Sequence, residues 1–156
     1  MNELNIIAKI QVCTYDELKI SEKKLIDQAK DAVSRSYSPY SRFQVGAAVQ
    51  LDNGEIIAGS NQENAAFPSG LCAERTALFY ANSRFPQNAV EAVAIAAFSV
   101  GDFTDEPITP CGACRQVLAE VQHRFQHPVR ILLYGKKKIY IINNAMDILP
   151  LSFEKR

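Results

Sequence analysis

Residues 90–100 read VEAVAIAAFSV, a nearly continuous apolar run that is rich in alanine and β-branched residues. Such a run is typical of a strand that is buried on both faces, which requires helices on each side of its sheet. Helical spacing on either side of the run predicts one helix over residues 72–84 and another over residues 111–125. The centre of the chain is therefore predicted to be helix, strand, helix.

The flanking segments extend this pattern to a three-layer α/β/α sandwich with a mixed five-stranded sheet. Ser21 is the predicted N-cap of a first helix, which ends before Pro39. The step Asn53-Gly54 is typical of a tight hairpin, and residues 101–110 are predicted to form a loop. The predicted strands, in chain order, are residues 43–51, 55–60, 90–100, 129–134 and 139–142.

The length of 156 residues and the 47% apolar content suit one compact domain. We expect this domain to occupy residues 21–156, because the helical and strand patterns there are continuous. Residues 1–20 are expected to form an N-terminal extension. Loose alternation at residues 4–18 fits either a strand or a terminal arm packed on the domain.

The charge pattern argues against a polyanion or a membrane as partner. The chain has 17 basic and 17 acidic residues, so no net field recruits nucleic acid. The one dense cationic run, Lys136 to Lys138, follows Gly135 and reads as the tip of a turn between two strands. We find neither a basic leader nor an apolar stretch of ~20 residues, and therefore expect a cytoplasmic protein.

Three of the four cysteines have the spacing of a metal site. Cys72 opens one predicted helix, and Cys111 and Cys114 open the other. A helix N-terminus stabilises a thiolate through its unpaired N–H groups and its dipole. Three thiolates around one Zn²⁺ leave the fourth tetrahedral position open, which is typical of a catalytic rather than a structural site. The sequence therefore predicts one catalytic zinc per chain.

Two charged neighbours suggest what such a zinc would do. Glu74 lies two residues after Cys72, too close to be a comfortable further ligand but near enough to reach a water activated by the metal. We interpret it as the general acid and base. Arg75 can donate hydrogen bonds to ligand sulfurs and so withdraw charge from a site that three thiolates would leave net negative.

At these residues the chain resembles the cytidine deaminases, and in particular the branch with three cysteine ligands. Four sequence blocks in order carry the resemblance, which runs from about residue 21 to residue 153. The blocks are SPYSRFQVGAAV (38–49), NQENAAFPSGL (61–71), CAERTA (72–77) and TPCGACRQ (109–116). The resemblance implies hydrolytic deamination of free cytidine and deoxycytidine to uridine and deoxyuridine, with release of ammonia, in pyrimidine salvage.

The resemblance also implies the residues of a nucleoside pocket. Asn61 and Glu63 would hold the sugar 3'-hydroxyl, the backbone at Ala73 would help to seat the base, and Phe43 would pack against it. Phe67 stands where the family often has tyrosine, so an apolar packing role remains without a hydroxyl. The tail DILPLSF (147–153) is similar to the ending of tetrameric cytidine deaminases. This similarity implies a homotetramer in which Phe153 completes a neighbouring active site.

Other interpretations remain open at this stage. Cys111 and Cys114 alone could form a thioredoxin-like redox pair, although the third cysteine argues against it. A related zinc site could deaminate a base flipped out of a polynucleotide, or an amino-substituted nucleoside antibiotic. The zinc could also stabilise a non-catalytic interaction module. Cys13, His123 and His127 lie outside every motif and are predicted to be a free thiol and surface side chains.

Overall fold

A computed structural model describes residues 1–154 and confirms the three-layer α/β/α arrangement. One helix packs on one face of the sheet, and the other two pack on the opposite face. All three helices lie where the sequence predicts them. They are α1 (Ile20–Ala32), α2 (Ala73–Arg84) and α3 (Gly112–Phe125).

The sheet is mixed and contains seven strands, in the order β1-β7-β6-β4-β2-β3 with β5 paired to β4. The pair β4 and β6 is parallel, and every other pair is antiparallel. The strands are β1 (Ile10–Cys13), β2 (Gln44–Leu51), β3 (Ile56–Ser60), β4 (Val90–Ser99), β5 (Asp102–Phe103), β6 (Arg130–Tyr134) and β7 (Ile139–Ile142).

Two of these strands are additions to the five that the sequence predicts. β1 pairs with β7 and supplies partners for an edge that would otherwise be open. β5 forms because Val100 and Gly101 both adopt positive φ angles, 54° and 84°, which fold the chain back on the end of β4. A β-branched valine gives no signal for such a conformation, so this short hairpin was predicted to be loop.

β4 is buried on both sides, as its composition predicts, and its two faces differ in residue size. Val93 and Ile95 point into the core beneath α2 and α3. Ala92, Ala94 and Ala96 point toward α1. Because these side chains are small, α1 can approach the sheet closely.

The helix that carries the first cysteine is held against the sheet by a close backbone contact. A Cβ atom added at Gly59 of β3 would lie 2.6 Å from the backbone nitrogen of Ala77 and 3.1 Å from the carbonyl oxygen of Ala73. Glycine at this position therefore permits the first turns of α2 to approach β3, which fixes the height of Cys72 above the sheet.

The helix starts show one correction to the sequence analysis. α1 begins at Ile20 with Lys19 as N-cap, two residues earlier than a cap at Ser21 would give. The backbone N–H of Lys19 donates to Oε2 of Glu22 at 2.9 Å, so Glu22 supplies the glutamate half of a capping box and satisfies the N–H of the N-cap residue. Within residues 1–154, no helix combines the length and the apolar content needed to cross a bilayer.

Candidate metal centre and active site

Three cysteine thiols converge where α2 and α3 begin. Cys72 is the N-cap of α2, Cys111 is the N-cap of α3, and Cys114 lies in the first turn of α3. The Sγ atom of Cys111 is 3.8 Å from that of Cys72 and 3.5 Å from that of Cys114. All three sulfurs lie within 4.8 Å of one another, as expected for ligands of a single ion.

The donor set fits zinc. Tetrahedral zinc binds thiolate sulfur at ~2.3 Å, which places neighbouring sulfurs ~3.8 Å apart. The observed separations of 3.5 and 3.8 Å are close to that value. In the part of the chain that the structure describes, Cys72, Cys111 and Cys114 form the one group of side chains that could hold a metal ion. A tetrahedral zinc bound by three protein ligands has a fourth position for a ligand from outside the protein.

The charges around the sulfurs favour a thiolate at Cys72. Its thiolate accepts a hydrogen bond from the Cys114 thiol, and Nη2 of Arg75 donates to it at 3.6 Å. These contacts lower the pKa of Cys72 from 9.0 to about 5. The same hydrogen bond, together with burial, raises the pKa of Cys114. A cation bound between the sulfurs would favour further thiolates beside Cys72.

Glu74 is a buried carboxyl beside this cluster. Only 5% of its surface is exposed, and it lies in the first turn of α2. Burial raises the pKa of Glu74, and the thiolate of Cys72 acts in the same direction. A carboxyl whose pKa is raised exchanges protons closer to neutral pH, which is the property that a general acid and base needs.

A pocket of about 570 Å³ opens beside the cluster and contains Cys72 and Arg75 in its wall. Its volume falls in the range of small-molecule sites. Asn61, Glu63 and Phe67, which the sequence places in a nucleoside pocket, also line it. The remaining lining residues are Tyr40, Ser41, Gln62, Asn64, Gly70 and Leu71.

Asn61 is held in one orientation by its own chain. Its Oδ1 accepts from the hydroxyl of Ser36 at 2.5 Å and from the backbone N–H of Val45 at 2.8 Å. Its Nδ2 donates to the carbonyl of Phe43 at 2.9 Å. Both acceptor positions are therefore occupied, and the group left for a ligand is the second N–H of the amide.

Glu63 offers a complementary acceptor. Its Oε2 accepts from the backbone N–H groups of Tyr40, at 2.9 Å, and Ser41, at 3.2 Å. Hydrogen bonds from Ser41 and Tyr40 lower the pKa of Glu63, with the Ser41 hydroxyl contributing most. The carboxylate is thus charged at neutral pH, and both backbone N–H groups donate to Oε2 rather than to Oε1. A ligand hydroxyl could accept from Asn61 and donate to Glu63.

The other residues assigned to the pocket lie in three different settings. Ala73 is fully buried at the start of α2. Phe43 is half-buried and is not among the residues that line the pocket. Its backbone carbonyl accepts a hydrogen bond from Asn61, which does line it. Phe153 is 78% exposed and also lies outside the lining of its own chain's pocket.

Sequence reasoning gave no role to Tyr40, although it stands in a quoted motif. Its ring packs edge-to-face on Phe67 with centroids 5.7 Å apart, and both aromatic residues line the pocket. Ser36, which orients Asn61, was also missed. Cys13 is half-buried on β1 outside the metal cluster. His123 is exposed in the last turn of α3, and His127 is exposed two residues after the helix ends.

Residues 19–126 match the family model described as the cytidine and deoxycytidylate deaminase zinc-binding region. The chain belongs to this family. A cytidine deaminase of Halalkalibacterium halodurans is 48% identical over 102 residues, which cover 65% of this chain and 73% of the relative. One of Sporosarcina psychrophila is 46% identical over 126 residues, which cover 81% of this chain and 80% of the relative.

Solved structures of the family agree with the fold. The crystal structure of a cytidine deaminase from Burkholderia pseudomallei matches with a TM-score of 0.71 at 37% sequence identity, over 83% of this chain and 97% of that chain. The family membership and the three-cysteine cluster together make this chain a zinc-binding deaminase with one zinc site in its described residues. The redox-pair interpretation of Cys111 and Cys114 is therefore set aside.

Proposed function

We propose that the protein deaminates free cytidine and deoxycytidine to uridine and deoxyuridine, with release of ammonia, as a step of pyrimidine salvage. The observation that carries this proposal is one pocket that joins Cys72 to Asn61 and Glu63. Cys72 suits a reactive base held at the metal, and the polar pair suits a sugar. The named relatives, which are cytidine deaminases, support the same substrate class.

The chemistry needs a water that is made nucleophilic and two successive proton transfers. Zinc held by Cys72, Cys111 and Cys114 supplies Lewis-acid activation of that water when it is bound. Glu74 accepts a proton from the water and delivers it to N3 of the ring, while the oxygen forms a bond to C4. Glu74 then carries the remaining hydroxyl proton to the amino group, the C4–N bond breaks, and ammonia leaves as the carbonyl forms.

Two further side chains support this step. Arg75 donates to the Cys72 sulfur at 3.6 Å and withdraws negative charge that three thiolates would otherwise leave on the metal. The starts of α2 and α3 act in the same direction, because their unpaired N–H groups stabilise the sulfur ligands. Ala73, at the first position of α2, offers its backbone to the base.

Sugar recognition follows from the polar pair. We assign the 3'-hydroxyl to the free N–H of Asn61 and the free oxygen of Glu63, so that the hydroxyl both accepts and donates. A 3'-phosphodiester has no proton to donate and brings negative charge next to the Glu63 carboxylate. Leaving that carboxylate without a donor would cost ~1–3 kcal/mol before any repulsion is counted.

We therefore expect cytidine and deoxycytidine to be deaminated at similar rates and 3'-CMP to be refused, because no residue in the proposed contact pair reads the 2' position. Ammonia release should be measured on cytidine, deoxycytidine, 3'-CMP, adenosine, guanosine and a short oligonucleotide with an internal cytosine. If 3'-CMP or the oligonucleotide were as good a substrate as cytidine, Glu63 would be misassigned and a polynucleotide substrate would be favoured.

The surface charge agrees with a free nucleoside rather than a polynucleotide. The cationic run at Lys136 to Lys138 is matched by nearby carboxylates, with Lys137 pairing with Asp105 at 2.8 Å and Lys138 with Glu106 at 2.6 Å. These lysines are thus paired within the chain rather than presented as an unmatched track for phosphates.

We also propose a cytoplasmic homotetramer. Sulfur ligands at Cys72, Cys111 and Cys114 require reduced thiols, which a reducing compartment maintains. The ring of Phe153 is 78% exposed at the end of an apolar tail, and in its own chain it lies outside the pocket lining. A neighbouring subunit provides a base on which this ring can stack, worth ~1–3 kcal/mol by analogy with aromatic stacking on nucleic-acid bases.

A Phe153→Ala variant should keep its zinc and lose roughly ten- to a hundredfold in kcat/KM, because it loses the stacking ring and admits water. Mixing this variant with Glu74→Gln protein, under conditions of subunit exchange, should regenerate sites that combine Glu74 with an intact Phe153 from a neighbour. Verified mixed oligomers without recovered activity, or a fully active monomer in sedimentation, would show that the tail acts within its own chain.

A further inference from the structure

The C-terminal tail is tied to α3 at Phe153 by the side chain of Gln116. Its Nε2 donates to the carbonyl of Phe153 at 2.9 Å, and its Oε1 accepts from the N–H of Phe153 at 3.3 Å. The amide thus satisfies both backbone groups of Phe153, as a neighbouring strand would. Gln116 is half-buried and lies two residues after the cysteine ligand Cys114.

The path of the tail shows why it needs such an anchor. After the short 3₁₀ turn Ala145–Ile148 the chain passes Pro150, and Leu151 then adopts a left-handed backbone with φ of 59°. A non-glycine residue in this conformation is strained, and it persists where surrounding contacts define the backbone. The exposed side chains of Leu151 and Phe153 contribute little burial to hold the segment.

A second contact upstream has a different role. Arg115 donates to the carbonyl of Ile148 at 3.1 Å and to the carbonyl of Pro110 at 2.8 Å. It therefore joins the start of the tail to the loop that precedes Cys111, and a change at Arg115 would disturb the metal loop as well. The side-chain hydrogen bonds of Gln116 are to Phe153. A substitution at Gln116 therefore tests the position of the tail without removing a hydrogen bond to the metal loop.

We propose that Gln116 is a positioning residue, which clamps the backbone of Phe153 and thereby fixes where its ring projects from the subunit. This inference rests on the proposed function, in which that ring completes a neighbour's nucleoside pocket. The clamp couples the tail to the same helix that carries Cys111 and Cys114. Each subunit then presents its ring at a defined height relative to its own metal helix.

The clamp can be tested by tryptophan fluorescence, which needs no substrate. The chain contains no tryptophan of its own, so an introduced one reports on its own position. Phe153→Trp introduces one tryptophan at the tail, which can be excited selectively over the six tyrosines of the chain. Adding Gln116→Ala to this protein should lower the fluorescence anisotropy and increase collisional quenching by acrylamide. The matched control is Gln28→Ala, the same substitution at an exposed position of α1. Unchanged anisotropy and quenching in the Gln116→Ala protein would overturn the clamp.

Kinetics then test whether the clamp acts through the ring. Gln116→Ala should reduce kcat/KM on cytidine by about tenfold, mainly through KM, because two hydrogen bonds of modest net value are lost. Zinc content should stay at the wild-type level. Gln116→Glu should give an intermediate loss, since a carboxylate still accepts from the Phe153 N–H but cannot donate to its carbonyl.

A double-mutant cycle decides the mechanism. If Gln116 acts only through Phe153, the Gln116→Ala, Phe153→Ala double variant should be no worse than Phe153→Ala alone. Additive losses, or loss of zinc in Gln116→Ala, would mean that Gln116 supports the metal helix instead, and the proposal would fail. A wild-type protein that deaminates no nucleoside would refute the proposed function, whereas the fluorescence result would still report on the clamp.

Discussion

A Glu74→Gln variant is expected to keep its fold and its zinc and to lose at least ~10²- to 10⁴-fold in kcat, the range that a positioned acid and base supplies. Glutamine has nearly the same shape, so the buried space beside Cys72 remains filled. The amide cannot accept and release the two protons of the water, of which one goes to the ring nitrogen and the other to the leaving amine. Nucleoside binding should survive, because the sugar contacts are unchanged.

The measurement is single-turnover and steady-state deamination of cytidine with zinc content determined on the same sample. Glu120→Gln, an exposed position on α3, is the matched control and should retain wild-type kcat. A zinc-replete Glu74→Gln protein with near-normal kcat would remove Glu74 from the proton-transfer role.

The same substitution has a stability consequence in the metal-free protein. Burial raises the pKa of Glu74 above its ordinary 4.5, so the folded state favours the protonated carboxyl. The stability that this proton provides is complete below the unfolded pKa and is lost as pH rises through the folded value. Glutamine stays neutral throughout, so thermal unfolding of metal-free Glu74→Gln should lack this pH-dependent loss.

Replacing a sulfur ligand should abolish both zinc binding and turnover. In Cys111→Ser, zinc affinity is expected to fall by more than the ~10- to 100-fold that partners outside the ligand shell contribute, because one of three protein ligands is removed. Serine is a favoured N-cap, so the start of α3 should remain intact and the loss can be attributed to the metal. Zinc titration with a competing chelator measures the change.

The control for this variant is Cys13→Ser, because Cys13 lies on β1 outside the metal cluster. It should retain one zinc per chain and wild-type turnover. X-ray absorption on the wild-type protein should report three sulfurs and one lighter scatterer. Four sulfurs would describe a closed structural site, which would favour the interaction-module interpretation over an enzyme.

Zinc binding and proton transfer can thus be separated within a few residues of α2 and α3. A structural zinc module would lose its metal with Cys111→Ser but would be indifferent to Glu74→Gln. A deaminase loses turnover in both variants and metal in only one. The distinction depends on the position of Glu74, which is buried beside the cluster rather than exposed on the helix surface.

Local patterns in the sequence were sufficient for the main elements and for the cysteine cluster. The apolar run of β4 required helices on both faces, and the helices before and after it begin where the pattern predicts. Cys72 and Cys111 are both N-caps, as their positions before the two helical patterns predict. These features depend on neighbours in the chain, which a sequence records directly.

Contacts between distant segments were decided only by the tertiary structure. The pairing of β1 with β7, the orientation of Asn61 by Ser36, and the clamp of Gln116 on Phe153 join residues that no local pattern relates. The last pair is 37 residues apart in the chain. Each contact requires a donor and an acceptor to meet within about 3 Å, and only the packing of helices on the completed sheet fixes positions so closely.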